Sequence, residues 1–476
     1  MRNKILRRFL IAAILLAVPL VLLCFAFLLP PQYDRTYLAG LQDKNTRLKT
    51  ADAPRIILIG GSGAAFDVRS DLLEQELPGY SVVNYGLYAG LGTTVMLELA
   101  EPYIEAGDLV IFLPEQNEQT LSSFFDAESL WQASDGTFPS LLDLNRQERG
   151  AMIGAFGRFA AGKARLFFTG TNPSGDGIYA RSSFNAYGDI ACGGREYNTM
   201  AEGYDPNMPV KFDPALPAGD FINRVNEFAE SCEKKGAAFY FSFCPMNASA
   251  IPYAERARIG TYVESLAAKL TCPLLGTAED AIMDENWFFD TNYHLNAAGQ
   301  ILYTARLAGL IKAMLGDGSP VSIELPVMPS GGSLTVWEGD SSDVDCFLYE
   351  PYADGFLITG LSAQGKTREN LTVPSLYMNL PVRSFHAAVF AGNDTLRTVT
   401  ISRNITWIPD EAFSGCSALE RIILNNPAPE TCSVGRHLLD GSAAVITVPA
   451  SAFSAYATNY FWSLYSLRME TDSRLG

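Results

Sequence analysis

The stretch Arg55-Ile56-Ile57-Leu58-Ile59-Gly60-Gly61-Ser62-Gly63 decides the fold. A half-exposed strand alternates apolar with polar residues. A short continuous apolar run closed by glycine reads instead as a strand buried on both faces, as in parallel sheets. The same texture recurs at Ser81–Asn84, Leu109–Leu113, Ala238–Phe243 and Pro273–Leu275. Between these runs lie helical patterns at Asp71–Leu77, Thr93–Glu105, Asp220–Lys235, Tyr253–Lys269 and Ala297–Met314. The alternation predicts a three-layer α/β domain with a parallel sheet over residues 53–315. Residues 122–217 are rich in Gly, Asn, Ser and aromatics with weaker periodicity, and read as an insertion or cap over the site.

The first strand empties into a glycine-flanked serine. Serine is a poor nucleophile until a positioned base removes its proton. The chain has three histidines, and His294, in Phe289-Asp290-Thr291-Asn292-Tyr293-His294-Leu295-Asn296, is the only one before His386. It falls at the last strand–helix junction, with Asn296 as the N-cap of the final helix. Rival readings of the turn fail. A dinucleotide fingerprint starting at Gly61 and Gly63 meets Phe66 at its third position, and the second strand ends in Asn84 rather than an acid. A phosphate loop needs a lysine that is not there. After the second strand, Asn84-Tyr85-Gly86-Leu87-Tyr88-Ala89-Gly90 brings backbone amides to the sheet edge where open α/β folds bind ligands.

Arg2, Lys4, Arg7 and Arg8 precede an apolar run from Phe9 to Leu29. Its length matches the roughly 20 residues that cross a bilayer as a helix. Basic residues ahead of it place the N-terminus in the cytoplasm and everything after the span outside, so that 1–30 reads as a cytoplasmic tip with a transmembrane anchor and 31–52 as a juxtamembrane linker. A cleaved signal peptide would have a shorter apolar region ending in small residues, whereas this one ends Phe27-Leu28-Leu29-Pro30-Pro31. The expected location is thus the plasma membrane, single-pass, with the bulk of the chain extracellular. With 35 basic against 52 acidic residues and a net charge of −17, the chain lacks the basic footprint of nucleic-acid binding. The cysteines are widely spaced without a CxxC pair, so no metal centre is expected.

Beyond a linker at 316–345 the texture changes. Phe390-Ala391-Gly392 with Leu396, Val399 and Ile401 matches Phe413-Ser414-Gly415 with Leu419, Ile422 and Leu424, offset by 23 residues. Gly415-Cys416-Ser417-Ala418-Leu419 and the earlier Leu371-Thr372-Val373-Pro374 fit the same scheme. Residues 346–476 resemble the bacterial surface-protein type of leucine-rich repeat. That resemblance implies a small solenoid, capped by the segment from Ile446 to Trp462, with a surface for a protein partner. His386 and His437 lie there and read as structural or surface residues.

Residues 53–315 resemble the SGNH/GDSL hydrolase superfamily. They look closest to the membrane-anchored extracellular branch that includes D-alanyl-transfer and alginate O-acetylation proteins. The resemblance implies a flavodoxin-like fold, Ser62 as nucleophile, His294 as base, Asp290 as its orienting acid and Gly86 as an oxyanion donor. No cofactor is implied. The expected function is an extracytoplasmic serine esterase or O-acyltransferase on acyl esters of a surface glycan or cell-wall polymer. The alternative is an inactive surface protein that binds through its repeats. Two departures stand out. Asp290 and His294 are one residue further apart than the family's D-x-x-H, and the third strand ends Leu113-Pro114-Glu115-Gln116-Asn117 rather than in Gly-x-Asn-Asp. Asn117 is a candidate third oxyanion donor, or Glu115 marks a divergent site.

Overall fold

A computed structural model describes residues 2–137, 144–171, 173, 177–326, 328, 339–352, 355–409, 411–435, 437–459 and 461–475. The chain forms two compact units, Met1–Leu325 and Pro326–Gly476. The division falls in the stretch read as a linker, of which residues 327 and 329–338 lie outside those described.

The first unit is a mixed α/β structure. In chain order it contains helices α1 (Arg2–Leu28) and α2 (Gly40–Thr50), strand β1 (Arg55–Gly60), helix α3 (Ser62–Asp67), and strands β2 (Ser81–Asn84), β3 (Leu109–Leu113) and β4 (Ala238–Phe241). The four strands form a parallel sheet in the order β2-β1-β3-β4. Every residue of β1 and β3 is buried, as their unbroken apolar runs require. The fifth expected strand is reduced to a single bridge between Phe241 and Leu274. Pro273 has no N–H to give a ladder and contributes only its carbonyl, to the Phe241 amide.

At the opposite end of β1 from Ser62, Arg55 and Asp108 make a buried ion pair with side chains 2% and 0% exposed. The guanidinium bonds both Asp108 oxygens, at 3.1 and 2.5 Å, and reaches the carbonyls of Leu48 and Tyr103. It thereby ties α2 and the loop before β3 to the sheet.

The insertion holds a helix that its sequence pattern concealed, Arg146–Thr169. Gly150, Gly154, Gly157 and Gly162 interrupt any apolar stripe. The helix is instead fixed at its ends and by packing. The Asn145 side chain accepts from the amides of Gln147 and Glu148, and Gly170 closes the helix in the left-handed region at φ 66°. Trp131 stacks on Phe159, and Phe156 packs on Phe27 of α1. Buried Lys163 bonds Asp135 at 2.7 Å and the Ala26 carbonyl at 2.8 Å.

The expected span Phe9–Leu29 coincides with most of α1. The side chains of residues 9, 10 and 12–16 lie outside those described. Among the described residues, no helix is long and apolar enough to cross a membrane.

In the second unit, strands Asn370–Thr372, Thr398–Ile401, Arg421–Leu424, Val445–Pro449 and Met469–Asp472 lie parallel and adjacent in chain order. Thr398 pairs with Arg421, so one 23-residue sequence repeat advances the sheet by one strand. The repeated positions are its core: Phe390, Leu396, Val399, Phe413, Leu419 and Ile422 are all buried, and Phe390 stacks on Phe413. Gly392 and Gly415, at φ 72° and 69°, occupy a left-handed turn position that other residues rarely adopt. Trp462 and Tyr456 close the C-terminal end, donating to the carbonyls of Cys432 and Asn426. His386 lies beside Glu350 and His437 beside Asp440, all four well exposed.

Candidate active site

The C-terminal end of β1 passes straight into α3, which begins at Ser62. The junction is too crowded for side chains at its glycines. A Cβ on Gly60 would lie 2.4 Å from the Leu113 carbonyl oxygen, and one on Gly63 would lie 2.4 Å from the Cys244 sulfur. Ser62 Oγ is 2.8 Å from His294 Nε2, and His294 Nδ1 is 2.9 Å from Asp290 Oδ1. The structure therefore brings together the serine, imidazole and carboxylate that the sequence singled out. The longer Asp–His spacing is no obstacle, because the turn between them, closed by the Phe289 amide on the His294 carbonyl, still brings Asp290 Oδ1 to His294 Nδ1.

Several groups hold that line. Phe66, the residue that disqualified a dinucleotide fingerprint, stacks under the imidazole with centroids 4.0 Å apart and planes 3° from parallel. Asp67 Oδ1 accepts from the Leu295 amide, and Asp67 Oδ2 accepts from the Cys244 thiol. Complete burial lifts the Asp67 carboxyl well above the usual range. The Tyr179 hydroxyl donates to Asp290 Oδ2 at 2.5 Å. For Asp290, burial pushes the pKa upward, but the bonds from His294 and Tyr179 outweigh it, and the carboxyl ends below its ordinary value. Asp290 thus stays ionised, and able to orient the imidazole, to lower pH than a free aspartate. Asn296 caps the helix after His294 by accepting from the Gly299 amide at 2.8 Å, as its position implied.

The remaining candidates are placed differently. The Gly86 N–H, expected to face an oxyanion, donates to Asn84 Oδ1 at 3.0 Å. Asn84 also donates to the Ala64 carbonyl, so this pair braces α3 from below. It is Tyr88 and Ala89 that line the cavity next to Ser62. Asn117 lines it too, but its Oδ1 accepts from the amides of Gln119 and Thr120 in a local turn. The side chain that reaches Ser62 from the end of β3 is Glu115. Its Oε1 is 3.1 Å from Ser62 Oγ and 2.8 Å from the Gly63 amide nitrogen.

A close-packed Gly86 makes a testable demand. A Cβ there would lie 2.5 Å from Ala64 Cβ and 2.9 Å from both Ala65 N and Gly61 O. These are backbone or near-backbone atoms of the turn that carries Ser62, so the turn itself must shift. A displacement near 1 Å costs about 100-fold in a positioned reaction. Gly86→Ala is expected to slow labelling of Ser62 by a fluorophosphonate about 10- to 100-fold, and a labelling rate equal to the parent's would refute the bracing role.

The cavity over Ser62 and His294 measures about 520 Å³. Its walls come from three sources: the sheet edge, Tyr179 and Met208 of the insertion, and Tyr37 and Leu38 just before α2. Tyr37 packs its ring against Phe184 and donates to the Leu87 carbonyl, and Arg181 pairs with Asp43, so the linker and the insertion clasp each other. Neither tyrosine was legible as a site residue. Each lies in a stretch without periodicity, and only the folded chain shows that both face one cavity. Among the described residues, no group of three or more His, Cys, Asp or Glu could hold a metal ion.

No family model matches the chain, and no curated protein matches it. Among solved structures, it is similar to a leucine-rich cell surface protein from Faecalibacterium prausnitzii A2-165, at 17% identity and a TM-score of 0.19. That similarity covers 26% of this chain and 38% of the other.

Proposed function

We propose that the first unit is an SGNH-type serine esterase or O-acyltransferase, acting outside the cytoplasm on acyl esters of a surface glycan or cell-wall polymer. The observation that carries this reading is the line Ser62 Oγ–His294 Nε2–Asp290, with contacts of 2.8 and 2.9 Å at the floor of an open cavity. In the proposed reaction Ser62 Oγ bonds to the ester carbonyl carbon while His294 Nε2 takes the serine proton. The carbonyl then reforms, the carbon–alkoxide bond breaks, and His294 returns the proton to the departing alcohol. Water or a sugar hydroxyl next gives its proton to His294 and attacks the acyl-serine, and Ser62 is restored. Asp290 keeps the imidazole in the tautomer that can accept from Ser62. The tyrosine faces of Tyr37, Tyr88 and Tyr179 suit the apolar faces of sugar rings.

The test is a fluorophosphonate probe together with release of acetate from an O-acetylated polysaccharide. Ser62-dependent labelling and turnover are expected, and absence of both in the intact chain sinks the proposal.

The Phe9–Leu29 run, preceded by four basic residues, supports a role for α1 as a membrane anchor. Carbonate washing is expected to leave the full chain in the membrane fraction, and loss of residues 2–28 to release it. A full chain that washes off has no anchor.

A second reading, an inactive binding protein, draws on the Glu115 carboxyl set against the nucleophile, because a negative charge there opposes an oxyanion. Under that reading, partner binding survives both Ser62→Ala and His294→Ala and requires residues 346–476.

A further inference from the structure

Counting hydrogens along the site exposes a shortage. Asp290–His294, His294–Ser62 and Ser62–Glu115 are three hydrogen-bond contacts in a row, and each needs one hydrogen. An ionised Asp290, a neutral imidazole and a serine hydroxyl supply two, one on Nδ1 and one on Oγ, since the Tyr179 hydroxyl, 3.3 Å from Nδ1, gives its hydrogen to Asp290. An ionised Glu115 has none to add, so the third contact would set two oxygens with no hydrogen between them. Oε1 already accepts from the Gly63 amide and, with a proton of its own, can still donate. The alternative holder of the extra proton, His294, would then be unable to take the serine proton.

Resting on the acyl-transfer reading, we infer that Glu115 works as a neutral carboxylic acid, donating a hydrogen bond to the Ser62 oxygen at rest and to the substrate oxyanion in the tetrahedral intermediate. It fills the oxyanion-donor role that Asn117, held in its local turn, and the Gly86 amide, taken by Asn84, leave open. The proton stays on Glu115 throughout, since the serine proton travels by His294 alone. A buried acid held neutral so that it can donate is an established way to stabilise developing negative charge. Glycine at 61 and 63 makes the approach feasible, because a Cβ on Gly61 would sit 2.8 Å from Oε1 and one on Gly63 would sit 3.2 Å from the Glu115 Cγ.

The inference inverts the usual pH behaviour of a serine–histidine pair, whose activity holds on the alkaline side. Here activity falls once Glu115 ionises beside the nucleophile. The titratable groups around it are His294, Asp67, Cys244, Tyr37, Tyr179 and Tyr293. All of them are retained in Glu115→Gln, so a difference between the two proteins reports position 115.

The experiment measures the second-order rate of Ser62 labelling by a fluorophosphonate against pH, in the full chain and in E115Q. The parent is expected to lose about tenfold per pH unit on its alkaline limb, while E115Q stays within about twofold of its own plateau. Identical profiles, or an E115Q rate reduced by one constant factor at every pH, overturn the inference while leaving the acyl-transfer reading intact. A parent that is unlabelled at every pH sinks that reading and this inference with it. An infrared difference spectrum, parent minus E115Q, gives a readout free of activity. It should contain the carbonyl stretch of a protonated carboxyl, and a carboxylate band in its place overturns the inference.

Discussion

Under the proposed acyl-transfer reading, Ser62→Ala is expected to lower ester turnover on the order of 10⁴-fold or more while leaving the melting temperature nearly unchanged. The asymmetry follows from the contacts of the hydroxyl. Ser62 Oγ meets His294 and Glu115, and its removal deletes the attacking atom without opening a cavity in the core. His294→Ala should cost a similar factor, because a nucleophile and its base act as one device. The double substitution should therefore be no slower than the worse of the two singles. Turnover of a chromogenic acetate, corrected for the uncatalysed rate, measures all three. A Ser62→Ala protein that keeps a tenth of the parent's activity would place the chemistry elsewhere.

The second large effect concerns stability. Arg55→Ala leaves the Asp108 carboxylate at 0% exposure with no cation beside it and strips donors from the Leu48 and Tyr103 carbonyls. Breaking a buried pair by removing one partner costs about 3–5 kcal/mol, far more than a surface ion pair. The expected outcome is a fall of that size in the unfolding free energy of the first unit, read from urea midpoints at constant slope. A loss below about 1 kcal/mol would show that water reaches Asp108 and that the cluster does not clamp α2 to the sheet.

The parallel sheet was legible because its strands announce themselves locally: Ile56–Ile59 and Leu109–Leu113 are apolar without interruption, and burial on both faces allows nothing else. The repeat strands were legible for a different reason, since Phe390 and Phe413 mark one pattern used twice. The helix Arg146–Thr169 was hidden because its stability comes from Trp131, Phe27 and Asp135, none of which its own sequence contains. At the site, Ser62, His294 and Asp290 could be named from residue type and junction. Glu115, Tyr37 and Tyr179 could not be assigned roles, because what matters is which atoms converge after folding. Gly86 shows the reverse difficulty. A glycine after a strand suggested an exposed amide, yet the neighbouring Asn84 side chain takes that amide inside.

The Ser62–His294 bond also has a consequence for the order of events as the chain folds. It joins positions 232 residues apart, whereas β1 and β2 pair across a short connection. Loop closure grows costlier with length, so docking β4 on β3 across the long insertion is less favoured early than pairing β1 with β2. Ser62 and His294 are therefore expected to meet among the last contacts of the first unit. During refolding, reactivity at Ser62 should lag behind the return of helical signal, so that the chain acquires its chemistry only once its architecture is complete.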